Sequence, residues 1–330
     1  MSAEPTVPPV PPVVLDAMGG DHGPAETVAG AVAARRAYQV PVTLVGDEPR
    51  VLDELRRHGA VGEIPVVHAH DAVPMAERGA AAATLATSSL AVGCELVGRG
   101  AGRAFVSAGS TGAVVSCAVR GIGRRSGVLR PALAVALPSL AGGASVLVDA
   151  GATADPSPAM VAQFALLGVG YARAVLGRTD PAVGLLSIGS EPGKGNRLTR
   201  EAAVLLAASP VRFHGAIEGH DVLAGIVDVI VTDGFTGNVV LKNVEGCVRT
   251  ALAMVARAGI ASPERLAEVA RRYDPETHGG AALLGLRGTV VVAHGSSRAA
   301  TIARACVVAG ALAGHDPRAG TGTITAEPVS

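Results

Sequence analysis

The chain has 28 basic residues in 330, and all but two, Lys194 and Lys242, are arginine. Against that background the two lysines are candidates for chemistry. A lysine ammonium is a compact point charge, suited to a phosphate or to the oxygen of a polarised thioester, where arginine offers a planar fork. Both lie beside glycine and asparagine, in Gly193-Lys194-Gly195-Asn196 and in Asn238–Lys242, whose ends are four residues apart and so share one helical face. Five Gly-rich segments follow predicted strands: Asp16-Ala17-Met18-Gly19-Gly20-Asp21, Ser107-Ala108-Gly109-Ser110-Thr111-Gly112, Gly193–Asn196, Asp233-Gly234-Phe235-Thr236-Gly237-Asn238 and His294-Gly295-Ser296-Ser297. Four lead straight into a helix, whose N-terminal N–H groups and partial positive charge suit an anion. Glycine lets the backbone approach closely, and Ser110, Thr111, Thr236, Ser296 and Ser297 add hydroxyl donors. For any one segment a helix cap is the simpler account. All five, with both lysines, favour a phosphate-sized anion site at the carboxyl edge of a parallel sheet, where such segments converge.

Other chemistries fail on spacing. Gly189–Lys194 is one residue short of a P-loop and has Gly195 where a magnesium-binding hydroxyl belongs. Gly121-Ile122-Gly123 opens no dinucleotide fingerprint, and neither a zinc HExxH helix nor a Gly-x-Ser-x-Gly elbow is present. Asp16, Asp21 and His22 are a weaker metal candidate, since Asp at a strand end also pins turns. No metal is expected, and no nicotinamide fingerprint is present. Cys94, Cys117, Cys247 and Cys306 are scattered and read as reduced core residues of a cytosolic protein.

The elements that must position these residues alternate as strand, Gly-rich turn and helix. The strands, such as Val42–Gly46 and Val183–Ile188, are near-continuous Val, Leu and Ile runs, as parallel strands covered on both faces require. Helices are predicted over Pro24–Arg36, Glu48–His58, Glu77–Val97, Pro158–Leu176, Leu198–Ala207, Thr236–Arg257 and Pro263–Arg272, giving an α/β layered fold with a mostly parallel sheet. Hydrophobic residues make up 49 % of the chain but aromatics only 2 %, so the core must be built of aliphatic side chains. Zero formal net charge gives no basic excess for nucleic acid. Met1–Pro12, Pro-rich and lacking Lys and Arg, reads as a disordered lead-in rather than a signal peptide, and no uninterrupted apolar run is expected to span a bilayer.

Taken together the segments resemble the phosphate acyltransferase family of bacterial phospholipid synthesis, the PlsX family. Its marks stand here as DAMGGD (16–21), SAGSTGA (107–113), KGN (194–196), DVIVTDGFTGNVVLK (228–242), GGAALLGL (279–286) and AHGSS (293–297), in family order. The resemblance implies attack of inorganic phosphate on the thioester of a fatty acyl group carried by acyl-carrier-protein, giving an acyl-phosphate. It implies an isocitrate/isopropylmalate dehydrogenase-like fold of two subdomains flanking a cleft, a homodimer, no need of an organic cofactor, and a cytoplasmic location with weak peripheral membrane contact. The catalytic unit then runs over 13–325, with subdomain 1 at about 13–135 plus 287–325 and subdomain 2 at about 136–286. Since phosphate is itself the nucleophile, the protein's task is positioning and oxyanion stabilisation. Catalytic roles fall to Lys194, Asn196, Asn238, Lys242 and His294, the last either as a proton relay to the leaving thiolate or as a simple hydrogen-bonding group. Binding roles fall to Gly19, Gly20, Asp21, Gly109, Ser110, Thr111, Gly112, Gly195, Asp233, Gly234, Thr236, Gly237, Gly295, Ser296 and Ser297.

The chain departs from the family pattern at several positions. Ser110 replaces an Asn, Leu85-Ala86-Thr87 replaces basic residues, Thr153 ends a turn that elsewhere ends in Asn, and His220 replaces an Arg. The stretch between Glu245 and Gly279 is short and Arg-rich. A paralogue using another acyl thioester, or a non-catalytic module that binds acyl groups or carrier protein, are the alternatives these changes raise.

Overall fold

The structure, a computed structural model, describes residues 10–77, 79–273 and 279–314, so the sequence expectations for 1–9 and 315–325 lie outside the described residues. Strands β1 (Val13–Asp16), β2 (Val42–Gly46), β3 (Val66–His68) and β4 (Ala104–Ser107) alternate with helices α1 (Ala25–Tyr38), α2 (Glu48–Arg57), α3 (Gly79–Ala82) and α4 (Ser89–Gly98). After α5 (Thr111–Gly121) come β5 (Ala132–Pro138), β6 (Ala144–Val148), α6 (Pro158–Leu176), β7 (Ala182–Leu186), α7 (Arg197–Ala207), β8 (Arg212–Ile217) and β9 (Val229–Val231). The chain continues through α8 (Gly234–Arg257), α9 (Pro263–Tyr273), β10 (Ala281–Leu284), β11 (Thr289–Val292) and α10 (Ala299–Gly314).

Local chemistry sets many of these bounds. Asp47 accepts from Arg50 N to cap α2, whose Val51 and Leu55, four apart, are buried. Ser157 caps α6 and Pro158 opens it, and Gly177 closes it at φ 65°. The single helix expected over Glu77–Val97 is instead two, α3 and α4. Between them Thr84 Oγ1 donates to Ala81 O (2.7 Å), Thr87 Oγ1 to Asp71 Oδ2 (2.6 Å) and Ser88 Oγ to Leu85 O (2.8 Å). These bonds offer the backbone an alternative to helix, and Ser88 then caps α4.

The described strands form one sheet in the order β3-β2-β1-β4-β11-β10-β5-β6-β9-β7-β8. It contains two parallel blocks. The first is β3-β2-β1-β4-β11 and the second β6-β9-β7-β8, joined by antiparallel pairs at β11–β10, β10–β5 and β5–β6. Three reversals leave the blocks pointing in opposite directions. The carboxyl ends of the first block therefore lie on one edge of the sheet, the first edge, and those of the second block on the opposite, second edge. The five Gly-rich segments do not share one edge, as a wholly parallel sheet would have them do.

One face of the sheet is a continuous aliphatic core. It runs from Val14 and Phe105 under α4 and α5 to Leu133, Leu147 and Ile230, where Val240, Leu241 and Val244 of α8 pack on it. The opposite face is divided into a core beneath α1, α2 and α10 and a core beneath α6 and α7. Helix α6 is long and apolar enough by composition to cross a membrane, although Gln163 and Arg173 interrupt its apolar run. In this fold its Val161, Phe164, Ala165 and Leu167 are buried against β5, β6 and β9. Cys94, Cys117 and Cys306 are core residues, but Cys247 is exposed on α8, which corrects its assignment to the core. Burial pushes the thiols up, Cys117 to about 11 and Cys306 to about 12.

Candidate active site

Three of the Gly-rich segments meet at the first edge. Asp16, at the end of β1, is buried, and its Oδ1 accepts from Met18 N (3.0 Å) and Gly19 N (3.2 Å). Its Oδ2 accepts from Ser107 Oγ (2.7 Å), which in turn accepts from Gly109 N (2.9 Å). Burial pushes the Asp16 carboxyl up, while hydrogen bonds from Ser107, Ser89, Met18 and Gly19 pull it back. A Cβ on Gly19 would lie 2.8 Å from Gly109 N and strike the Asp16 carboxylate, so the two loops approach this closely only with glycine. Asp21 N donates to Gly295 O (2.8 Å), tying in the third loop.

Helix α5 starts here without a cap: Ser110 holds the N-cap position with extended backbone but makes no side-chain cap bond. The N–H groups that follow, at Thr111 and Gly112, and the two hydroxyls are free of that role, which suits an anion. On the neighbouring loop His294 is exposed and Ser296 N donates to its Nδ1 (3.3 Å), with Ser296 Oγ 2.7 Å from the same nitrogen. A backbone N–H can only donate, so Nδ1 accepts and the neutral ring carries its proton on Nε2. Ser297 is 4 % exposed, and its Oγ has no partner within the described residues. The N-terminus of α10 itself is taken: Glu26 Oε2 accepts from Ala299 N (2.7 Å) and Oε1 faces Arg298 Nη1 (3.3 Å). A carboxylate already occupies that anion position, so this segment contributes its loop and not its helix end.

The other two segments lie on the second edge. Buried Asp149, after β6, accepts from Leu133 N (2.8 Å), Gly151 N (3.1 Å) and Ala152 N (2.9 Å) at Oδ1 and from Thr153 N (2.7 Å) at Oδ2. Burial pushes its carboxyl up against the pull of those four N–H groups. The loop so fixed receives α8, since Gly234 N donates to Thr153 O (2.8 Å) and Asn238 Nδ2 to Ala150 O (3.3 Å). A Cβ on Gly237 would collide with Asp149 O. Asp233 caps α8, accepting from Thr236 N (2.7 Å) and Thr236 Oγ1 (2.8 Å). Thr236 and Asn238, expected as substrate donors, thus use those donors to hold the α8 terminus.

One strand away, Asn196 caps α7 by accepting from Thr199 N (2.9 Å) at Oδ1, which leaves its Nδ2 to donate. Gly195, at φ 101°, packs over Thr199 and Ser187 Oγ, a buried hydroxyl without a partner among the described residues. Lys194 is exposed and in no ion pair among the described residues, and its stem shares the space over Gly189 with the Glu191 carboxylate. Lys242 is exposed on α8, two turns beyond its start. With strands of four to five residues the edges are roughly 15 Å apart. The expected site residues therefore form two groups within one chain. Gly19, Gly20, Asp21, Gly109–Gly112 and His294–Ser297 are on the first edge, and Lys194–Asn196 and Asp233–Asn238 on the second. Sequence reading missed Asp149, Glu26 and Ser187. For Asp149 a signal existed, an Asp closing an apolar strand before Gly-Ala-Thr, the same pattern that singled out Asp16.

A family described as fatty acid synthesis protein matches residues 12–319. A phosphate acyltransferase of Thermobifida fusca is 52 % identical over 317 residues, covering 92 % of this chain and 88 % of that protein. One from Thermus thermophilus is 46 % identical over 318 residues, covering 91 % and 96 %. Among solved structures, a phosphotransacetylase from Streptococcus pyogenes superposes with a TM-score of 0.63 at 17 % identity, covering 92 % of this chain and 94 % of that one. A 4-hydroxythreonine-4-phosphate dehydrogenase from Klebsiella pneumoniae gives 0.54 at 14 %, covering 92 % and 100 %. At such identities these last two share the fold.

Proposed function

This chain belongs to the phosphate acyltransferase family, and from that premise we propose that it takes a fatty acyl group from acyl-carrier-protein and passes it to inorganic phosphate, giving an acyl-phosphate for phospholipid synthesis. A phosphate oxygen attacks the thioester carbonyl, the C–S bond breaks, and the carrier's thiolate leaves and takes up a proton. We assign the phosphate to the first edge. The observation that carries this is the uncapped start of α5, at a place where three of the Gly-rich loops are hydrogen-bonded together. Backbone N–H groups of Thr111 and Gly112 and the hydroxyls of Ser110 and Thr111 bind the anion, and Gly19 and Gly20 let it approach. His294 donates a hydrogen bond from Nε2–H to the departing thiolate, which takes its proton from the hydrogen phosphate that attacked or from water. Preorganised donors of this kind are the usual main contribution to such transfers.

Lys194 and Asn196, read from sequence as phosphate holders, act at the second edge instead, on the incoming donor. Lys242 lies between, because α8 starts at the second edge and packs Val240, Leu241 and Val244 across the sheet. Two subdomains, about 13–135 with 287–325 and about 136–286, remain our reading; the two oppositely directed parallel blocks support two halves, while the 135/136 bound falls inside β5. A homodimer and weak membrane contact at a cytoplasmic surface are supported by the exposed Met254, Ile260 and Val269 of the α8–α9 hairpin.

The test is to supply purified protein with phosphate and long-chain acyl-carrier-protein and to trap product as its hydroxamate. Product that requires both phosphate and enzyme is expected. No product from the carrier-bound acyl group, with product from another acyl thioester, would sink the donor assignment.

A further inference from the structure

The chain is neutral overall, yet its charge is segregated. From Leu96 to Val148 there is no Asp or Glu, while Arg99, Arg103, Arg120, Arg124, Arg125 and Arg130 fall in the same stretch, and residues 279–314 hold Arg287, Arg298 and Arg304 and again no acid. The fold gathers several of these at the carboxyl end of α5. Arg125 N donates to Gly285 O (3.0 Å) and Arg287 N to Gly123 O (3.0 Å), joining the turn after α5 to the β10–β11 turn. Gly98, next to Arg99, abuts Gly121, and Val128 lies against Gly285 just before Arg130. Arg99, Arg124, Arg130 and Arg287 are exposed, and none is in an ion pair among the described residues.

Part of this has a structural account. A helix carboxyl end attracts cations, and two guanidinium groups rest on carbonyls there, Arg124 on Val128 O (2.9 Å) and Leu129 O, Arg287 on Ile122 O (3.0 Å). Carbonyls fix those groups in place without cancelling their charge. Arg99 and Arg130 have no such contact. The patch lies on the second edge, since Arg130 precedes β5, and Leu133 at the start of that strand is held by Asp149. It is thus flanked by the loops of Asp149–Thr153 and by the start of α8.

We propose that this arginine cluster is the docking surface for an acidic protein, the carrier that brings the acyl thioester. The proposal rests on the donor reading above. Helix α5 connects the two places. Its eleven residues, about 16 Å long at 1.5 Å per residue, run from the open anion site at Ser110 to the arginines beyond Gly121. A carrier seated on the arginines has its tethered acyl group directed along α5 toward the phosphate. An anionic membrane is the weaker occupant. The exposed apolar hairpin that would meet lipid returns to the first edge, where Arg272 Nη2 donates to Ser139 O (3.4 Å) beyond the carboxyl end of β5.

The test uses the full chain and the double variant Arg99→Glu/Arg130→Glu, two side chains with no hydrogen bond or ion pair among the described residues. Kinetics are measured with acyl-carrier-protein and with a neutral small donor, acyl-N-acetylcysteamine, and binding of the carrier alone is measured by calorimetry at low and high salt. The expected result is a KM for acyl-carrier-protein raised at least about tenfold, a flattened salt dependence, and kcat/KM for the neutral donor unchanged. Carrier binding by the native chain that the double variant retains in full would overturn the docking surface and leave the donor reading standing. No binding of carrier by the native chain would overturn the surface, and no turnover of acyl-carrier-protein would separately overturn the donor reading. Loss of binding to anionic vesicles with carrier binding intact would reassign the patch to membrane. If the double variant melts with the native protein yet loses the neutral donor as well, the patch belongs to the chemistry and the proposal fails.

Discussion

One histidine, His294, and one lysine, Lys194, divide the chemistry between the edges. At His294 the backbone N–H of Ser296 fixes the tautomer, so the proton faces away from the loop on Nε2. Lys194, at the other edge, has no carboxylate partner among the described residues and is free to meet a negative donor. Their substitution should therefore have different kinetic signatures. His294→Ala is expected to lower kcat at least about tenfold, near 1.4 kcal/mol of transition-state stabilisation, with KM for phosphate little changed. Lys194→Ala is expected to raise KM for the acyl donor and leave kcat within about twofold. Steady-state kinetics with both substrates varied separate these outcomes, and a kcat loss in Lys194→Ala alone would move the phosphate to the second edge.

At the scale of elements, the start of α8 is the least tolerant joint. Gly237 lies where any side chain meets the Asp149 carbonyl, and Asp149 in turn binds four N–H groups of the strand and loop around it. Gly237→Ala should cost about 1–3 kcal/mol or more by overpacking against backbone that cannot yield, read as a lowered denaturation midpoint with unchanged slope. Elements of this kind were readable from sequence where local chemistry decides. Val42–Gly46 and Pro158–Leu176 have the bounds that their aliphatic run, Pro start and Gly end indicate. The break between α3 and α4 was not read, because an alanine run signals helix while Thr84, Thr87 and Ser88 win by bonding to backbone or to Asp71. Strand β10 was not read at all: Ala281-Ala282-Leu283-Leu284 between glycines is short and lacks β-branched residues. Its loss hid the reversal of direction, and with it the division of the site. A signal did exist. Residues 139–143 are too few to carry a parallel crossover between β5 and β6, which needs a dozen or more, so an antiparallel pair follows.

For the whole molecule, similarity at 52 % identity over 92 % of the chain fixes the family, while solved structures at 17 % and 14 % identity share its fold. That frame has an uneven dependence on chain order. Strands β5 to β9 and the helices among them come from residues 132–231 without interruption, so the second block has all its partners once that stretch exists. The first block does not. Its β4 pairs with β11, which arrives only at Thr289–Val292 and inserts between β4 and β10. On a ribosome releasing about 5–20 residues per second, the β4 edge is therefore left waiting for on the order of ten seconds or more. Long-range pairings of this sort are also slow to find in refolding. Pulsed hydrogen exchange during refolding should show amides of β6, β7 and β9 protected before those of β4 and β11, and simultaneous protection would contradict this. An aliphatic strand with one bare edge is a template for another chain. The central seat of β11 thus sets a hazard in time rather than in space: the nascent protein is most prone to aggregate in the interval between making its fourth strand and its last.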